Sequence, residues 1–271
     1  MNRIIPLLLA LTFAGQNAHA AQCITQKGQF PAYLQNLSAD AKRNGVGQRG
    51  LQALAGTKLS GITWRFESNP SSQTGTLQDD PAKFLAKRSG SSAEAFIAQT
   101  QRRVQRNARL FNAIEKQFGV PGSVLATIWG LETSWGGYLG GTSLVSGAVT
   151  LASYCRRHPR FEPHAIAMLN LVDRGVVRAN TKGGPSGELG HMQFLAGNWV
   201  KYGVDANRDG KADPYSAVDA LATAARMLQA NGWQAGQPFE PGTPNFTVLS
   251  VWNDSGNYQR AIAYAAARVG R

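Results

Sequence analysis

One segment, residues 120–137, constrains the fold of this chain more than any other. It reads Val-Pro-Gly-Ser-Val-Leu-Ala-Thr-Ile-Trp-Gly-Leu-Glu-Thr-Ser-Trp-Gly-Gly. Pro121 suits the first turn of an α-helix, and the glycine pair that ends at Gly137 suits its last turn. Apolar residues recur between them at helical spacing, as at Val124 and Ile128. The segment therefore predicts a helix with one apolar stripe that faces a core.

Glu132 lies on that apolar stripe, in the last turn of the predicted helix. Burial penalises the charged form of a carboxyl group, and the negative end of the helix dipole penalises it further. Both effects raise the pKa of a carboxyl, as a general acid that works near neutral pH requires. The structural alternative is a glutamate that pairs with an arginine elsewhere in the chain, and this segment alone leaves both interpretations open.

Residues 1–20 have the features of a secretory signal peptide. Arg3 gives a positive start, residues 4–14 are almost entirely apolar, and Ala18-His19-Ala20 forms a small-x-small cleavage site. The apolar run is too short to span a membrane. We therefore expect the mature chain to begin near Ala21, in the periplasm or outside the cell.

The composition is that of a globular protein with a basic surface. Hydrophobic residues make up 43% of the chain, the formal net charge is +12, and the sequence pI is about 10.1. Roughly 250 residues beyond the signal peptide suffice for one large or two modest domains. Because a secreted protein seldom meets nucleic acid, we expect no nucleic-acid partner. An acidic extracellular polymer, such as a cell-wall glycan with peptide carboxylates, or an anionic membrane surface fits the charge better.

Cys23 and Cys155 are the only cysteines. An even pair in an oxidising compartment suggests one disulfide that closes a long loop. Two separate buried thiols are the alternative.

The periodicity predicts a mainly α-helical chain with almost no strand pattern. Residues 60–90 are rich in Ser, Gly, Asn, Pro and Asp, and we interpret them as a long irregular connection. Ser91, with Glu94 three residues later, resembles a capping box that opens a long helix to Phe118. The other predicted helices are 31–44, 48–55, 145–154, 162–173, 216–231 and 257–269.

Residues 205–213 resemble a calcium-binding loop. Oxygen-bearing side chains alternate along it, and Gly210 stands where such a loop turns sharply. Ser216 occupies the twelfth position, where a glutamate usually closes the shell, so an aspartate in the next helix would close it instead. A turn without an ion is the alternative. The predicted ligands of this structural calcium are Asp205, Asn207, Asp209, the carbonyl of Lys211, and Asp219.

A catalytic role would fall on carboxylates. The histidines share no ligand spacing, and no Gly-x-Ser-x-Gly nucleophile motif is present. An ordinary glycosidase needs two carboxyl groups that flank the scissile bond. Glu188 and Asp254 are the candidates for a second one, although capping is the simpler role for Glu188 in its glycine-rich turn.

Together these motifs make the chain similar to the lytic murein transglycosylase B family of periplasmic peptidoglycan-cleaving enzymes. The resemblance covers nearly all of the mature chain. The segments that carry it are 119–136, 151–157 (Leu-Ala-Ser-Tyr-Cys-Arg-Arg), 187–195 (Gly-Glu-Leu-Gly-His-Met-Gln-Phe-Leu), the calcium-like loop, and 252–258 (Trp-Asn-Asp-Ser-Gly-Asn-Tyr).

The resemblance implies a lysozyme-like helical core with helical elaborations, in which residues 21–118 form a helical N-terminal part and residues 119–271 the core. It implies that Glu132 is the sole acid/base, that no cofactor is needed for the chemistry, and that peptidoglycan glycan strands are the substrate. In that mechanism Glu132 protonates the glycosidic oxygen, and the substrate's own acetamido group stabilises the cation. Glu132 then takes the proton of the muramyl 6-hydroxyl, which closes a 1,6-anhydro ring.

The resemblance also implies a set of substrate-binding residues and partners. Met227 stands where one branch has a cleft tyrosine, Gly184 replaces a serine, and the pair before Gln193 is unusual. The two cysteines match a pair seen in one secreted branch. A monomer is expected, with cell-envelope or secretion-machinery proteins as further partners. The predicted substrate-binding residues are Gln193, Phe194, Tyr258, Trp252 in place of a tyrosine, and Ser186 as a substitute for the missing serine.

Two other functions remain open at this point. A hydrolytic muramidase would use Glu188 or Asp254 to position a water, and an inert glycan-binding scaffold would keep the cleft without the reaction.

Overall fold

The computed structural model describes residues 21–69 and 80–270. The predicted signal peptide, residues 1–20, lies outside the described residues. Helices dominate the described part of the chain. In order they are α1 (Phe30–Arg43), α2 (Gln48–Ala55), α3 (Gly61–Ser68), α4 (Pro81–Ser89), α5 (Ala93–Arg106), α6 (Ala108–Phe118), α7 (Gly122–Thr133), α8 (Leu144–Ser153), α9 (Glu162–Asp173), α10 (Ala196–Tyr202), α11 (Ala217–Ala230), α12 (Pro244–Val248) and α13 (Gly256–Val269).

Strands contribute little to the described residues. The two-residue strands β1 (Thr142–Ser143) and β2 (Lys182–Gly183) pair antiparallel. Short 3₁₀ turns lie at Lys27–Gln29, Gly190–Met192 and Leu249–Val251. None of the described helices is both long and apolar enough to cross a membrane.

Helix α7 is the centre of the fold. It packs against α4, α5, α6, α11 and α13. Eleven of its twelve residues are buried, and Glu132 is the exception. The predicted single apolar stripe is therefore too narrow, because all faces of α7 meet other helices. Such a helix is stabilised by tertiary packing around its whole circumference rather than by amphipathicity.

The interpretation of residues 60–90 as irregular is wrong where the structure describes them. Ser60 caps α3 by accepting a hydrogen bond from the Thr63 N–H at 3.3 Å, and Asp80 caps α4 through the Ala82 N–H at 2.8 Å. Trp64 and Leu85 anchor the two helices in the core. The polar composition of this stretch hid two short helices that depend on caps and burial.

The predicted long helix to Phe118 is two helices. Ser92, one residue later than expected, is the N-cap and accepts a hydrogen bond from the Ala95 N–H at 3.1 Å. Asn107 leaves helical geometry and separates α5 from α6. Helices α10 and α12 were not predicted. Helix α7 ends at Thr133, before the predicted glycine pair, whereas the remaining predicted helices differ from the observed ones by only one or two residues at their ends.

The N-terminal segment is fastened to the middle of the chain. Cys23 and Cys155 form a disulfide with a Cα–Cα distance of 4.7 Å across 132 residues of sequence. Ile24 pairs parallel with Tyr154, and the Ile24 N–H donates to the Ser153 carbonyl at 2.8 Å. This connection packs the first described residues against the end of α8.

Candidate active site

A cavity of about 950 Å³ opens over the C-terminal end of α7, with Glu132 in its wall. The side chain of Glu132 is partly exposed to this cavity. The residues around it come from α3, α4, α9, α10, α11, the turn before α13, and two glycine-rich loops, residues 136–141 and 183–190. They include Ile62, Phe66, Arg88, Tyr138, His164, Glu188, Gln193, Phe194, Met227, Trp252 and Asp254.

Two donors hold Glu132. The Tyr258 hydroxyl donates to Glu132 Oε1 at 2.5 Å, and the Trp252 indole Nε1–H donates to the same oxygen at 2.9 Å. Burial raises the pKa of Glu132, while the two hydrogen bonds and the charge of Arg88 partly oppose that rise. No lysine, arginine or histidine of the described residues forms an ion pair with Glu132. Among the described residues, Glu132 therefore does not form the structural ion pair that was the alternative interpretation.

Tyr258 lies behind Glu132 rather than on the cavity surface. It is buried, and its ring packs edge-on against Phe84 of α4 with centroids 6.3 Å apart. Burial raises the pKa of Tyr258 well above its usual range, and the charge of Glu132 adds to the shift. Tyr258 is therefore a neutral O–H donor to the Glu132 carboxyl group, and its contact with substrate stays a prediction.

Trp252, Phe194 and Gln193 do line the cavity. The ring of Phe194 packs edge-on between Trp252 and Trp199, with centroids 5.3 and 5.4 Å away. This packing fixes the indole that donates to Glu132. Gln193 Nε2 donates to the carbonyls of Gly190 at 2.8 Å and Leu139 at 3.3 Å, so Gln193 bridges the two glycine-rich loops.

Ser186 does not line the cavity, in contrast to its predicted role. Its N–H donates to Glu188 Oε2 at 2.8 Å, a local contact within the glycine-rich turn. Gly184 lines the cavity instead. A Cβ atom on Gly184 would lie 2.3 Å from Glu188 Oε2 and 2.5 Å from Gln193 Oε1. A serine at position 184 is therefore incompatible with the present positions of those two side chains.

The two candidates for a second carboxylate differ in environment. Burial raises the pKa of Glu188, and the nearby charge of Glu132 adds a smaller upward shift. Glu188 also accepts a hydrogen bond from the Ser186 N–H within its own turn. Asp254 is exposed at the rim of the cavity.

The glycine-rich loops meet backbone to backbone beside the site. A Cβ atom on Gly140 would lie 2.0 Å from the Gly183 carbonyl oxygen, and Gly140 has a φ of +99°. Strands β1 and β2 pair next to this contact. Only glycine permits both this conformation and this close approach.

Several residues of the cavity wall were not predicted. Arg88 of α4 and Ile62 and Phe66 of α3 lie in the stretch interpreted as irregular. Phe66 is 52% exposed, and Ile62, one turn earlier on α3, is 47% exposed. The buried Glu67 of α3 pairs with Arg157 at 2.7 Å and ties this wall to the segment before α9. No local sequence signal marks these residues as part of the cavity wall, because their position depends on partners elsewhere in the chain.

The predicted calcium loop folds as a compact turn. Asp205 accepts hydrogen bonds from the N–H groups of Asp209 and Gly210 at 3.1 and 2.9 Å. Asp219 is fully buried and accepts from the N–H groups of three loop residues, among them Ala206 at 2.9 Å. Within the described ranges, no group of three or more acidic, histidine or cysteine side chains has the arrangement of a metal site. The donor chemistry is all oxygen and suits calcium, whereas coordination itself is not shown.

Comparisons with known proteins place the chain in a family. The model of the transglycosylase SLT domain matches residues 29–243. Membrane-bound lytic murein transglycosylase B of Escherichia coli is 31% identical over 137 residues, which are 47% of this chain and 38% of that protein. The match therefore spans well under half the length of that relative.

Solved structures share the fold. SltB3 of Pseudomonas aeruginosa, in complex with NAG-NAM-pentapeptide, has a TM-score of 0.75 at 21% identity and covers 88% of this chain and 78% of its own. Slt35 of Escherichia coli in complex with bulgecin A has a TM-score of 0.77 at 19% identity, with 93% and 96% covered. A second structure of Slt35 is a complex with calcium, with a TM-score of 0.73. The expected mainly α, lysozyme-like fold is confirmed, and the chain belongs to the transglycosylase SLT domain family.

Proposed function

We propose that this protein is a peptidoglycan lytic transglycosylase in which Glu132 is the sole acid/base. The observation that carries the proposal is the environment of Glu132: a carboxyl in the wall of a large cleft, with a raised pKa and two neutral donors on one oxygen. Membership of the transglycosylase SLT domain family and the complex of SltB3 with a peptidoglycan fragment support the substrate class.

The contacts of Glu132 suit a group that first gives and then accepts a proton. Both donors bind Oε1, which leaves Oε2 to carry the proton to the glycosidic oxygen. The carboxylate that remains is stabilised by the Tyr258 and Trp252 hydrogen bonds, because donors favour the ionised form. That carboxylate then takes the proton of the muramyl 6-hydroxyl as it attacks C1, and a 1,6-anhydro ring forms.

A hydrolytic muramidase is the second candidate, because Glu188 shares the cavity with Glu132. Burial raises the pKa of Glu188 as it raises that of Glu132, so the shift does not separate the two roles. Glu188 Oε2 accepts the Ser186 N–H at 2.8 Å, which engages this carboxyl within its own turn rather than with a water. Asp254 is exposed to solvent at the rim. These environments favour the transglycosylase over the hydrolase.

Product analysis separates the candidates. Purified sacculi are digested, and the released muropeptides are examined by mass spectrometry. We expect anhydro-muropeptides, which lack one water relative to reducing products. Glu132→Gln should abolish release while wall binding persists, and Glu94→Gln, the same change on an exposed helix face, should leave release unchanged. Reducing ends would indicate a hydrolase, and intact sacculi would indicate a binding protein.

We also propose that the loop formed by residues 205–213, together with Asp219, binds a structural calcium ion. The oxygen-only donor set and the calcium complex of the similarly folded Slt35 support this. Calcium added to chelator-stripped protein should raise the melting temperature, and Asp209→Asn should remove that dependence. An unchanged melting temperature after demonstrated removal of the ion would reject a stabilising site.

We further propose that the protein acts in the periplasm after export. The Ala18-His19-Ala20 motif and a disulfide that needs an oxidising compartment support export. The basic composition suits a wall polymer that carries carboxylates. A monomeric state and further cell-envelope or secretion-machinery partners remain predictions.

A further inference from the structure

The nitrogen of Ala21 occupies an unusual position. Ala21 is fully buried, and its backbone nitrogen donates to Asp40 Oδ2 at 2.9 Å. Asp40 lies near the end of α1 and is only 5% exposed. A carboxylate that is taken out of water needs hydrogen bonds and an opposite charge to offset its lost hydration. The Ala21 nitrogen therefore meets a group that would bind a cation more strongly than an amide.

The position of Ala21 does not depend on this hydrogen bond alone. The Cys23–Cys155 disulfide lies two residues further along the chain, and Ile24 then pairs with Tyr154. These connections hold the start of the described chain against α8, and α1 follows at Phe30. The nitrogen is therefore held beside Asp40 by covalent and backbone contacts on its C-terminal side.

Asp40 has one cationic partner among the described residues. Arg43 pairs with Oδ1, but its side chain is 46% exposed and shared with solvent. The contact printed for Arg43 is with Oδ1, whereas Oδ2 accepts the hydrogen bond from the Ala21 nitrogen at 2.9 Å. A positive charge on the Ala21 nitrogen would give the buried Asp40 carboxylate a second cationic partner beside Arg43, which is partly hydrated.

The sequence supplies that charge at this residue. The small-x-small motif Ala18-His19-Ala20 places the expected cleavage bond directly before Ala21. Hydrolysis by a signal peptidase adds the hydroxyl of water to the Ala20 carbonyl carbon and a hydrogen to the Ala21 nitrogen. That amine takes a further proton near neutral pH, so one N–H donor becomes an ammonium group with three.

We propose that removal of residues 1–20 creates an α-ammonium group at Ala21 that forms a buried ion pair with Asp40. Processing thereby completes a contact that the uncleaved chain makes only as an amide hydrogen bond. The folded state of the precursor is less stable than that of the processed protein, which favours an unfolded chain before export and a folded chain after it. The proposal concerns stability and is independent of the reaction at Glu132.

The test removes the positive charge of the Ala21 amino group and keeps its N–H beside Asp40. Chains that begin at Ala21 are prepared with a free or an acetylated amino group, since acetylation retains the N–H and deletes the charge. We expect acetylation to lower the melting temperature by about 4 °C or more, as for a buried pair that loses one partner. In an Asp40→Asn background, the same acetylation should shift the melting temperature by less than about 1 °C.

A second background guards against a failure of Asp40→Asn to fold. In Arg43→Met the ammonium is the remaining cation near Asp40, so acetylation should cost more than in the parent chain. Equal shifts in all backgrounds would overturn the proposal. A first residue other than Ala21 in protein purified from the cell envelope, read by N-terminal sequencing, would overturn it as well. Release of muropeptides, measured on each sample, reports separately on the proposed function.

Discussion

Removal of the Cys23–Cys155 disulfide provides a quantitative test of how the fold is held together. The bond closes a loop across 132 residues. In the chain-entropy model, a loop of this length lowers the entropy of the unfolded chain enough to contribute about 5 kcal/mol at 25 °C. With an unfolding entropy of roughly 2.1 cal/mol/K per residue over about 250 residues, that corresponds to a fall of roughly 10 °C in melting temperature.

The double variant Cys23→Ser/Cys155→Ser avoids a stray thiol. Its free energy of unfolding is measured by urea denaturation and compared with the oxidised parent protein. We expect the loss in stability to come with a larger m-value, because the unfolded chain without the cross-link exposes more surface. Reductant should lower the stability of the parent protein to that of the variant and leave the variant unchanged.

A loss below about 1 kcal/mol with an unchanged m-value would refute this reasoning. It would mean that closure of the loop contributes little, and that non-covalent contacts such as the pairing of Ile24 with Tyr154 keep the N-terminal segment in place.

Three further outcomes follow from the site. Glu132→Gln should be more stable than the parent protein at neutral pH. The folded-state pKa of Glu132 is raised, so the parent protein loses stability as pH rises from about 4.3 through that pKa. The melting temperatures of the two proteins should therefore converge below about pH 4. Tyr258→Phe removes a bond that lowers the pKa of Glu132, so the alkaline limb of the pH–rate profile should move to higher pH; an unmoved limb would contradict the role of the hydroxyl. Gly184→Ser should lower both melting temperature and activity, because its Cβ meets Glu188 Oε2 at 2.3 Å, whereas Gly28→Ala, with open space around it, should change neither.

The central helix could be predicted from sequence because its signals are local. The proline, the glycines and the apolar spacing of α7 all lie within residues 120–137. The environment of Glu132 could not be predicted in the same way. Its two donors lie 120 and 126 residues further along the chain, and only the fold brings them to one oxygen. The resemblance led to both residues, but it assigned Tyr258 to the substrate rather than to the acid.

The short helices that form part of the cavity wall could not be predicted from local sequence. Helices α3 and α4 are eight and nine residues long, too short to be stable alone. The stretch around them is polar in composition, and the stability of the two helices comes from side chains such as Trp64 and Leu85 that meet partners elsewhere in the chain. Arg88 and Phe66 were missed for that reason, since no local pattern places them at the cavity.

The contact between Gly140 and Gly183 bears on how this chain can diverge. At Gly140 a side chain would meet a carbonyl oxygen at 2.0 Å, so this position of the loop accepts only glycine. At Gly28 and Gly61, by contrast, nothing lies within 4 Å of an added Cβ. A saturation-mutagenesis library should therefore recover many residue types at positions 28 and 61, and none but glycine at position 140.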